Sequence, residues 1–497
     1  MAFAKLPPPT FDLETWASNY TGPLLPLRLS HVAALCPSLT EQALSLAISS
    51  AKSGKDVQLY ERTIELASAL GRNQLAEKDE EWVKRTEDAN RHELVRLEGE
   101  LKGYKNNLIR ESIRMGQEDL ATHQLLTGGP RPQLEPEGED AAHQPQPTSF
   151  GLNAAYAAFG KMRDHCTTPT HVASMTLRLT FTAILQAITA QQAGGSVTTN
   201  YNAALAQANR LRNVGVKEEE QAKLQPLAGA CAGIAYLGMG NYKAAAEALL
   251  KVPFDYTSLG AVHGMDFSKQ VASANDIAIY GGLTALATAT RQELIDNVLG
   301  GSFRAFLELE PHMRKAISLY TTAKYRACLD TLQRYYSDWR LDVYLGAETT
   351  PSQASDTSPS HVDVLFARIR EKSITSYLFS FSEVSISSLA ATFPPPASSK
   401  LSPQQAMEDE VLRLIEQGYL PSRLDLVNGT IVTPGTDART ATHKKAVEAA
   451  DEVERTLLLR LHKVNVALAG LEVPKGKGGG SQWAPYGGQG MMESGGY

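Results

Sequence analysis

The stretch that decides the fold lies near the C-terminus, at 407–432, and reads MEDEVLRLIEQGYLPSRLDLVNGTIV. Its first part predicts a helix over 407–417, because apolar residues recur at helical spacing and Gly418 is a typical stop residue. The apolar face of this helix consists of Val411, Leu412, Leu414 and Ile415. Apolar and polar residues then alternate over 419–427, as in a strand. Asn428-Gly429 is typical of a two-residue hairpin turn, and a returning strand is expected over 430–432.

A shorter helix is expected upstream, beginning near Ser385, which is an acceptable N-cap. Ile386, Leu389 and Phe393 would lie on its apolar face, and a proline-rich loop over 394–405 follows it. The order helix, helix, hairpin predicts a winged helix.

A winged helix raises the question of DNA binding, in which the second helix would enter the major groove. Here that helix carries four carboxylates and one arginine, so DNA phosphates would repel it. These residues are Glu408, Asp409, Glu410, Glu416 and Arg413. The edge strand of the hairpin instead offers unpaired backbone groups beside Leu424, Leu426 and Ile431, a surface suited to strand pairing with a similar domain. Protein is therefore the expected partner.

A second attachment surface is predicted in a helix over 437–470. Its apolar residues are spaced by three or four positions along one seam. The seam consists of Val453, Leu457, Leu461, Val464 and Leu468. Such a seam requires another helix against it, and that helix could come from a partner or from this chain.

Upstream, residues 151–345 are repetitive. The pattern Asn200-Tyr201-x-Ala203-Ala204 recurs 41 residues later at 241–245, and Tyr325-x-Ala327 follows after about two more such periods. Four residues match the offsets of a tetratricopeptide repeat, namely Gly233, Tyr236, Ala245 and Leu249. We therefore predict a solenoid of helix pairs. The alternative is coincidence among alanine-rich helices.

A highly charged segment over 74–126 is predicted to form one long exposed helix, weakened at Gly99 and Gly103. Its apolar positions are Leu94, Leu97, Leu101, Tyr104, Leu108 and Ile109. Two interpretations remain open: an arm that binds a partner, or an ordinary helix with a solvated face.

Composition excludes several classes of protein. The 497 residues include 54 acidic and 48 basic side chains, which gives a formal charge of −6, the wrong sign for a protein whose main ligand is a polyanion. The cysteines, Cys36, Cys166, Cys231 and Cys328, form no C-x-x-C pair, so neither a zinc knuckle nor a disulfide framework is indicated. No segment is expected to span a membrane, and no secretory signal is recognised, which predicts a cytosolic or nuclear protein.

Motifs that carry chemistry are not found either. The sequence has no paired-histidine zinc motif, no nucleophile elbow and no glycine-rich phosphate loop in a suitable context. The nearest approach is His165-Cys166, but neighbouring side chains in a helix point about 100° apart, which disfavours a hydrogen-bonded dyad. We expect no catalytic residues, no metal and no cofactor.

Several segments make the chain similar to a known family. They are 12–20 (DLETWASNY) with 36–39 (CPSL), 104–120 (YKNNLIRESIRMGQEDL), 276–288 (DIAIYGGLTALAT), 291–294 (RQEL) and 306–311 (FLELEP). Over about 11–469 the sequence resembles the COP-9 signalosome subunit 1 family, and 408–425 resembles the PCI winged-helix pattern that this family shares with a proteasome-lid paralogue. A PCI subunit of the proteasome lid is the alternative, and a winged-helix nucleic-acid binder is the second alternative.

The resemblance implies an all-α scaffold, not an enzyme, in a complex that removes a ubiquitin-like modifier from cullins. Partners would be other PCI subunits, the metalloprotease subunit and cullin-RING ligases, without nucleic acid or membrane, in cytoplasm and nucleus. Winged helices would pair through Leu424, Leu426 and Ile431, and terminal helices would bundle through Leu457, Leu461, Val464 and Leu468. Composition and patterning together divide the chain into an N-terminal helical arm (1–73), a long charged helix (74–126), a disordered insertion (127–150), TPR-like repeats (151–345), a flexible loop (346–361), the last PCI helices and winged helix (362–433), a bundle helix (437–470) and a disordered Gly-rich tail (471–497). The insertion and the Gly-rich tail do not follow from the family resemblance.

Overall fold

The computed structural model describes residues 6–129, 150–349, 359–394, 402–433 and 438–471. Almost all secondary structure in these ranges is helical, apart from one small sheet, so the predicted all-α class is confirmed. The chain divides into two compact units, Met1–Val432 and Thr433–Tyr497. Parts of the predicted insertion (127–150), flexible loop (346–361) and tail (471–497) lie outside the described residues, namely 130–149, 350–358 and 472–497.

The first four helices are α1 (Leu13–Ser18), α2 (Leu24–Leu35), α3 (Thr40–Ser53) and α4 (Val57–Ala69). Carboxylates cap two of them, since Asp12 accepts from the Thr15 amide and Asp56 from the Leu59 amide. Some of their buried apolar residues, including Leu29 and Leu44, form a cluster with Leu341, more than 250 positions downstream. The segment predicted as an N-terminal arm therefore shares a core with the end of the repeats.

The charged segment forms two helices, α5 (Glu80–Asn106) and α6 (Arg110–Leu126), which pack against each other. The prediction of one long helix over 74–126 is wrong. The chain turns at 107–109, where Leu108 has a φ of 54°, and not at Gly99 or Gly103. Leu97 and Leu101 are buried against α6, whereas Leu108 and Ile109 are exposed.

The repeat region contains eleven described α-helices, two short 3₁₀ helices at Met162–His165 and Phe254–Ser258, and a π-helical turn at Leu294–Leu299. The helices are α7 (Phe150–Lys161), α8 (Pro169–Gln192), α9 (Thr198–Arg212), α10 (Glu218–Gly238), α11 (Tyr242–Leu250), α12 (Phe267–Gln270), α13 (Ala274–Thr288), α14 (Arg291–Glu293), α15 (Arg304–Leu309), α16 (Pro311–Thr321) and α17 (Tyr325–Arg340). From α7 to α11, each helix packs on its successor, as in a helical-repeat solenoid.

Small residues let the repeat helices approach closely. A Cβ at Gly233 would lie 2.4 Å from the Leu249 side chain, and one at Gly238 would lie 2.3 Å from the Tyr201 ring. Tyr201 and Tyr242, the two tyrosines of the repeated pattern, are both buried. The tetratricopeptide-like offsets thus correspond to real contacts between helices.

One helix of this region, α8, is long and apolar enough by length and composition to cross a membrane. However, 83% of the apolar window is buried inside the first unit. The apolar character of α8 matches its place as a core helix of the solenoid.

The solenoid leads through α18 (His361–Leu378) into the winged helix. Its elements are β1 (Glu383–Ser385), α19 (Ile386–Thr392), α20 (Pro403–Glu416), β2 (Arg423–Asp425) and β3 (Thr430–Val432). Ser385 caps α19, and Gly418 follows α20 with a φ of 77°, as predicted. The second unit contains α21 (Ala438–Leu468).

Two details of the predicted wing are wrong. The strands form a three-stranded antiparallel sheet in the order β1-β3-β2, so β1 was missed. Asp425 pairs with Thr430, which leaves a four-residue loop at 426–429 instead of a two-residue turn at Asn428-Gly429. The Asp425 carboxylate organises this loop by accepting from the amides of Val427 and Asn428.

Candidate interaction surfaces

The three residues predicted on the edge of the wing have different environments. Leu424 lies on β2, an outer strand of the sheet, and is half-buried. Leu426 lies in the following loop and is 69% exposed. Ile431 lies on the central strand β3, directly opposite Leu424, and is only 1% exposed.

Ile431 is therefore not an edge residue, and its prediction as a surface contact is wrong. Because β3 lies between two strands, its inward side chain packs into the core of the winged helix. The outer backbone edge of β2 pairs with no other strand among the described residues. Leu424, Leu426 and the 94%-exposed Val427 follow this edge.

The second helix of the winged helix, α20, forms ion pairs with α18 through two arginines. Arg370 of α18 binds Glu410 through Nε at 2.9 Å and donates to the carbonyls of Phe393 and Pro394. Arg413, the one cation on α20, donates to Glu371 at 2.7 Å. Both arginines are thus paired with carboxylates of this chain, and α20 itself carries more acidic than basic side chains.

The apolar face of α20 is narrower than predicted. Val411 and Leu414 are buried together with Met407, whereas Leu412 is 46% exposed. Positions 407, 411 and 414 are spaced by four and three residues, so their side chains face the core together. Position 412 lies 100° further around the helix axis than 411, and its side chain therefore points away from the core.

The seam of α21 belongs to the second unit and is described within that unit alone. Its five residues recur at intervals of four, four, three and four, so they share one face of the helix. All are exposed, from Val464 at 53% to Leu468 at 81%, with Leu457 at 58% and Leu461 at 57%. An exposed aliphatic stripe of this length is typical of a helix that packs against a partner surface.

A buried polar cluster was not predicted. Arg28 of α2 is 1% exposed and lies 3.1 Å from Asp342 and 3.7 Å from Asp276. Its Nη2 donates to the Val271 carbonyl at 2.7 Å, and its guanidinium lies 4.2 Å from the centre of the Tyr20 ring. We call these residues, with Tyr280 and Tyr344, the Arg28 cluster.

Tyrosines complete the hydrogen bonding of both carboxylates. Tyr20 donates to Asp276 at 2.8 Å and Tyr280 donates to Asp342 at 2.8 Å. Burial raises the pKa of Asp276, while Arg28 acts in the opposite direction. The cluster therefore ties α2 to the start of α13 and to the segment after α17, which are more than 240 residues away.

His31, one turn after Arg28, belongs to the same contact region. Its Nε2 lies 3.3 Å from the Arg340 carbonyl oxygen. Burial lowers the pKa of His31 to about 4, so the ring is neutral at pH 7. No sequence spacing links these residues, although Tyr20 and Asp276 both lie in the segments that resemble the family.

The nucleophile candidates do not have the environment of reactive groups. Burial raises the pKa of Cys166, which follows His165, and raises the pKa of Cys231 and Cys328 to about 12. A reactive cysteine instead has a lowered pKa. Within the described ranges, no group of three or more His, Cys, Asp or Glu residues could hold a metal ion.

Two family descriptions match the chain. The family described as 26S proteasome subunit RPN7 matches residues 79–129 and 150–297. The PCI domain matches residues 332–434, which include α18 and the whole winged helix.

Curated relatives match over nearly the whole length. COP9 signalosome complex subunit 1 of Emericella nidulans is 38% identical over 94% of this chain and 84% of the relative. The protein of the same name from Neurospora crassa is 32% identical over 92% of this chain and 91% of the relative. That of Arabidopsis thaliana is 30% identical over 92% and 89%.

Proposed function

Because the chain belongs to the COP9 signalosome subunit 1 family, we propose that it is a non-catalytic scaffold of that complex. In this role it supports the removal of a ubiquitin-like modifier from cullin-RING ubiquitin ligases. The observation that carries the proposal is the 38% identity over 94% of the chain, which includes both the repeats and the PCI domain.

The first proposed attachment is the β2 edge of the wing. Strand pairing with another winged helix would satisfy the outer backbone groups of β2, and the exposed Leu426 and Val427 would be covered beside it. Ile431 would contribute to this attachment indirectly, because its buried side chain packs β3 against the core of the winged helix. The expected partners are other PCI subunits.

The second proposed attachment is the seam of α21. Association would remove Leu457, Leu461, Val464 and Leu468 from water, and each buried side chain contributes about 1.5–3 kcal/mol. The partners would be the terminal helices of other subunits, including that of the metalloprotease subunit. Two separate attachments in one chain are what a scaffold requires.

The non-catalytic role is supported by the state of the candidate nucleophiles, since burial raises the pKa of Cys166, Cys231 and Cys328. The zinc isopeptidase site would belong to another subunit. We further propose that the complex engages cullin-RING ligases and that the chain is present in cytoplasm and nucleus.

Affinity purification of the tagged full chain tests the assignment to the signalosome. We expect a cullin-directed isopeptidase and other PCI subunits to co-purify. The match to the proteasome subunit RPN7 family makes the proteasome lid the competing assembly. Recovery of proteasome ATPases and lid subunits in place of the isopeptidase would refute the proposal.

The seam of α21 can be tested with a control in the same helix. Leu461→Asp with Leu468→Asp would place unpaired carboxylates in the bundle, so the variant should be lost from the complex. Leu459→Asp is the matched control, because Leu459 is also exposed, at 65%, but lies about 200° around the helix from Leu461. Normal incorporation of the double variant, or equal loss with Leu459→Asp, would contradict the assignment of this face.

A further inference from the structure

The turn between α5 and α6 has an unusual combination of properties. We call residues 102–110, which read KGYKNNLIR, the hairpin tip. At its apex Leu108 is 81% exposed and Ile109 is 54% exposed. Among the described residues, neither of these adjacent aliphatic side chains belongs to a buried apolar cluster that would explain its type.

The hairpin tip is held firmly in place. Leu97 and Leu101 of α5 are buried against Ile113 and Leu120 of α6. Gly116 lets the two helices approach, since a Cβ there would lie 2.9 Å from the Tyr104 ring. This packing fixes the two helices on either side of the apex, which lowers the entropy cost of binding.

Leu108 also adopts an unfavourable backbone conformation. Its φ of 54° lies in the left-handed region, where a side chain with a Cβ is strained and glycine or asparagine is preferred. Burial within the chain does not offset this strain, because the side chain is exposed. Strained residues that persist in this way occur most often at functional sites.

The charge of the hairpin tip is opposite to that of the chain. Lys102, Lys105 and Arg110 are exposed and form no ion pair with any described residue, while the whole chain carries −6. No carboxylate lies between Glu100 and Glu111, and both of these bind arginines of their own helices. The N-terminus of α6 has no side-chain cap at Ile109, which adds positive potential at the same end.

We propose that the hairpin tip docks into an acidic surface of another protein. An apolar pocket would receive Leu108 and Ile109, and surrounding carboxylates would pair with Lys102, Lys105 and Arg110. A nucleic acid fits less well, because single strands are held by exposed aromatic side chains and the apex carries aliphatic ones. This proposal does not depend on which assembly holds the chain.

In-cell photo-crosslinking tests the proposal on the full chain. A photoreactive phenylalanine analogue replaces Ile109 in a tagged copy that substitutes for the native protein, and Val95, 65% exposed on α5, is the control position. We expect one protein adduct from position 109, mapped to a peptide rich in Asp and Glu, and none from position 95.

Two variants then separate docking from simple proximity. Lys102→Glu with Lys105→Glu should lower the adduct yield by about tenfold, whereas Lys315→Glu, an exposed lysine on α16, should not change it. Leu108→Asn should also lower the yield by about tenfold, yet leave the melting temperature of the free chain equal or higher, because asparagine tolerates the left-handed conformation. The proposal is overturned by a nuclease-sensitive adduct, an adduct with a second copy of this chain, no adduct, or a yield that charge reversal does not change.

Discussion

Replacement of the buried arginine tests whether the N-terminal helices are locked to the repeats. We predict that Arg28→Met, which keeps an unbranched aliphatic stem but removes the guanidinium and its charge, strongly destabilises the first unit. Asp276 and Asp342 would remain, with side chains 10% and 13% exposed and without their shared cation. The hydrogen bond to Val271 and the contact with the Tyr20 ring would also be lost.

The magnitude follows from the burial of the carboxylates. Removing one partner of a buried ion pair costs about 3–5 kcal/mol, because the remaining charge is left uncompensated. With an unfolding entropy of about 2.1 cal/mol/K per residue and roughly 400 residues unfolding together, a loss of ~4 kcal/mol lowers the melting temperature by about 5 °C.

The assay is thermal and urea unfolding of the purified chain, with a neutralised variant as control. Adding Asp276→Asn and Asp342→Asn to Arg28→Met removes the two orphaned charges, so part of the lost stability should return. An Arg28→Met chain as stable as the parent would refute the reasoning. So would a triple variant no more stable than the single one, since the cost would then not be electrostatic.

Three further predictions concern acid, packing and the winged helix. In the unfolded chain His31 binds a proton below about pH 6.5, whereas in the folded chain it does so only near pH 4. The contribution of neutral His31 to the unfolding free energy is therefore fully present above pH 6.5 and is lost as the pH falls towards 4. In denaturation series from pH 7 to 4.5, His31→Gln should reduce the slope of the unfolding free energy by up to ~1.4 kcal/mol per pH unit; an unchanged slope would contradict this. Gly238→Ala should cost about 1–3 kcal/mol of unfolding free energy, because its Cβ would overlap the Tyr201 ring, and no loss would show that the ring can move aside. Arg370→Met should destabilise the winged helix by about 2–3 kcal/mol by leaving Glu410 unpaired, seen as faster hydrogen exchange in 386–432, and unchanged exchange would refute it.

The fold was predictable where a local signal specifies a local structure. Ser385 caps the start of α19 with its side chain, and Gly418 follows the end of α20. Gly233 and Leu249 are in contact within one helix pair, so their spacing in the sequence was informative. The break at Leu108 gave no such signal, because leucine rarely adopts a positive φ and the nearby glycines suggested other positions. Strand β1, which has only three residues, is too short for alternation to be visible.

The candidate surfaces were predictable only in part, for a related reason. Periodicity placed the residues of the seam on one face of α21, because a helix keeps its register over many turns, and their role as an interface stays a prediction. Ile431 was misjudged because β1, from before α19, pairs on the far side of β3 and makes it central. The Arg28 cluster could not be derived, since Arg28 and its two carboxylate partners, both more than 240 positions downstream, are brought together only by the folded solenoid.

The most direct test of the central claim is a deneddylation assay with three preparations: the isolated full chain with added zinc, the purified complex, and a complex assembled with the Leu461→Asp, Leu468→Asp chain. A scaffold predicts no cleavage by the isolated chain, cleavage of the modified cullin by the complex, and loss of both the subunit and normal activity with the variant. Metal-dependent cleavage by the isolated chain would contradict the account.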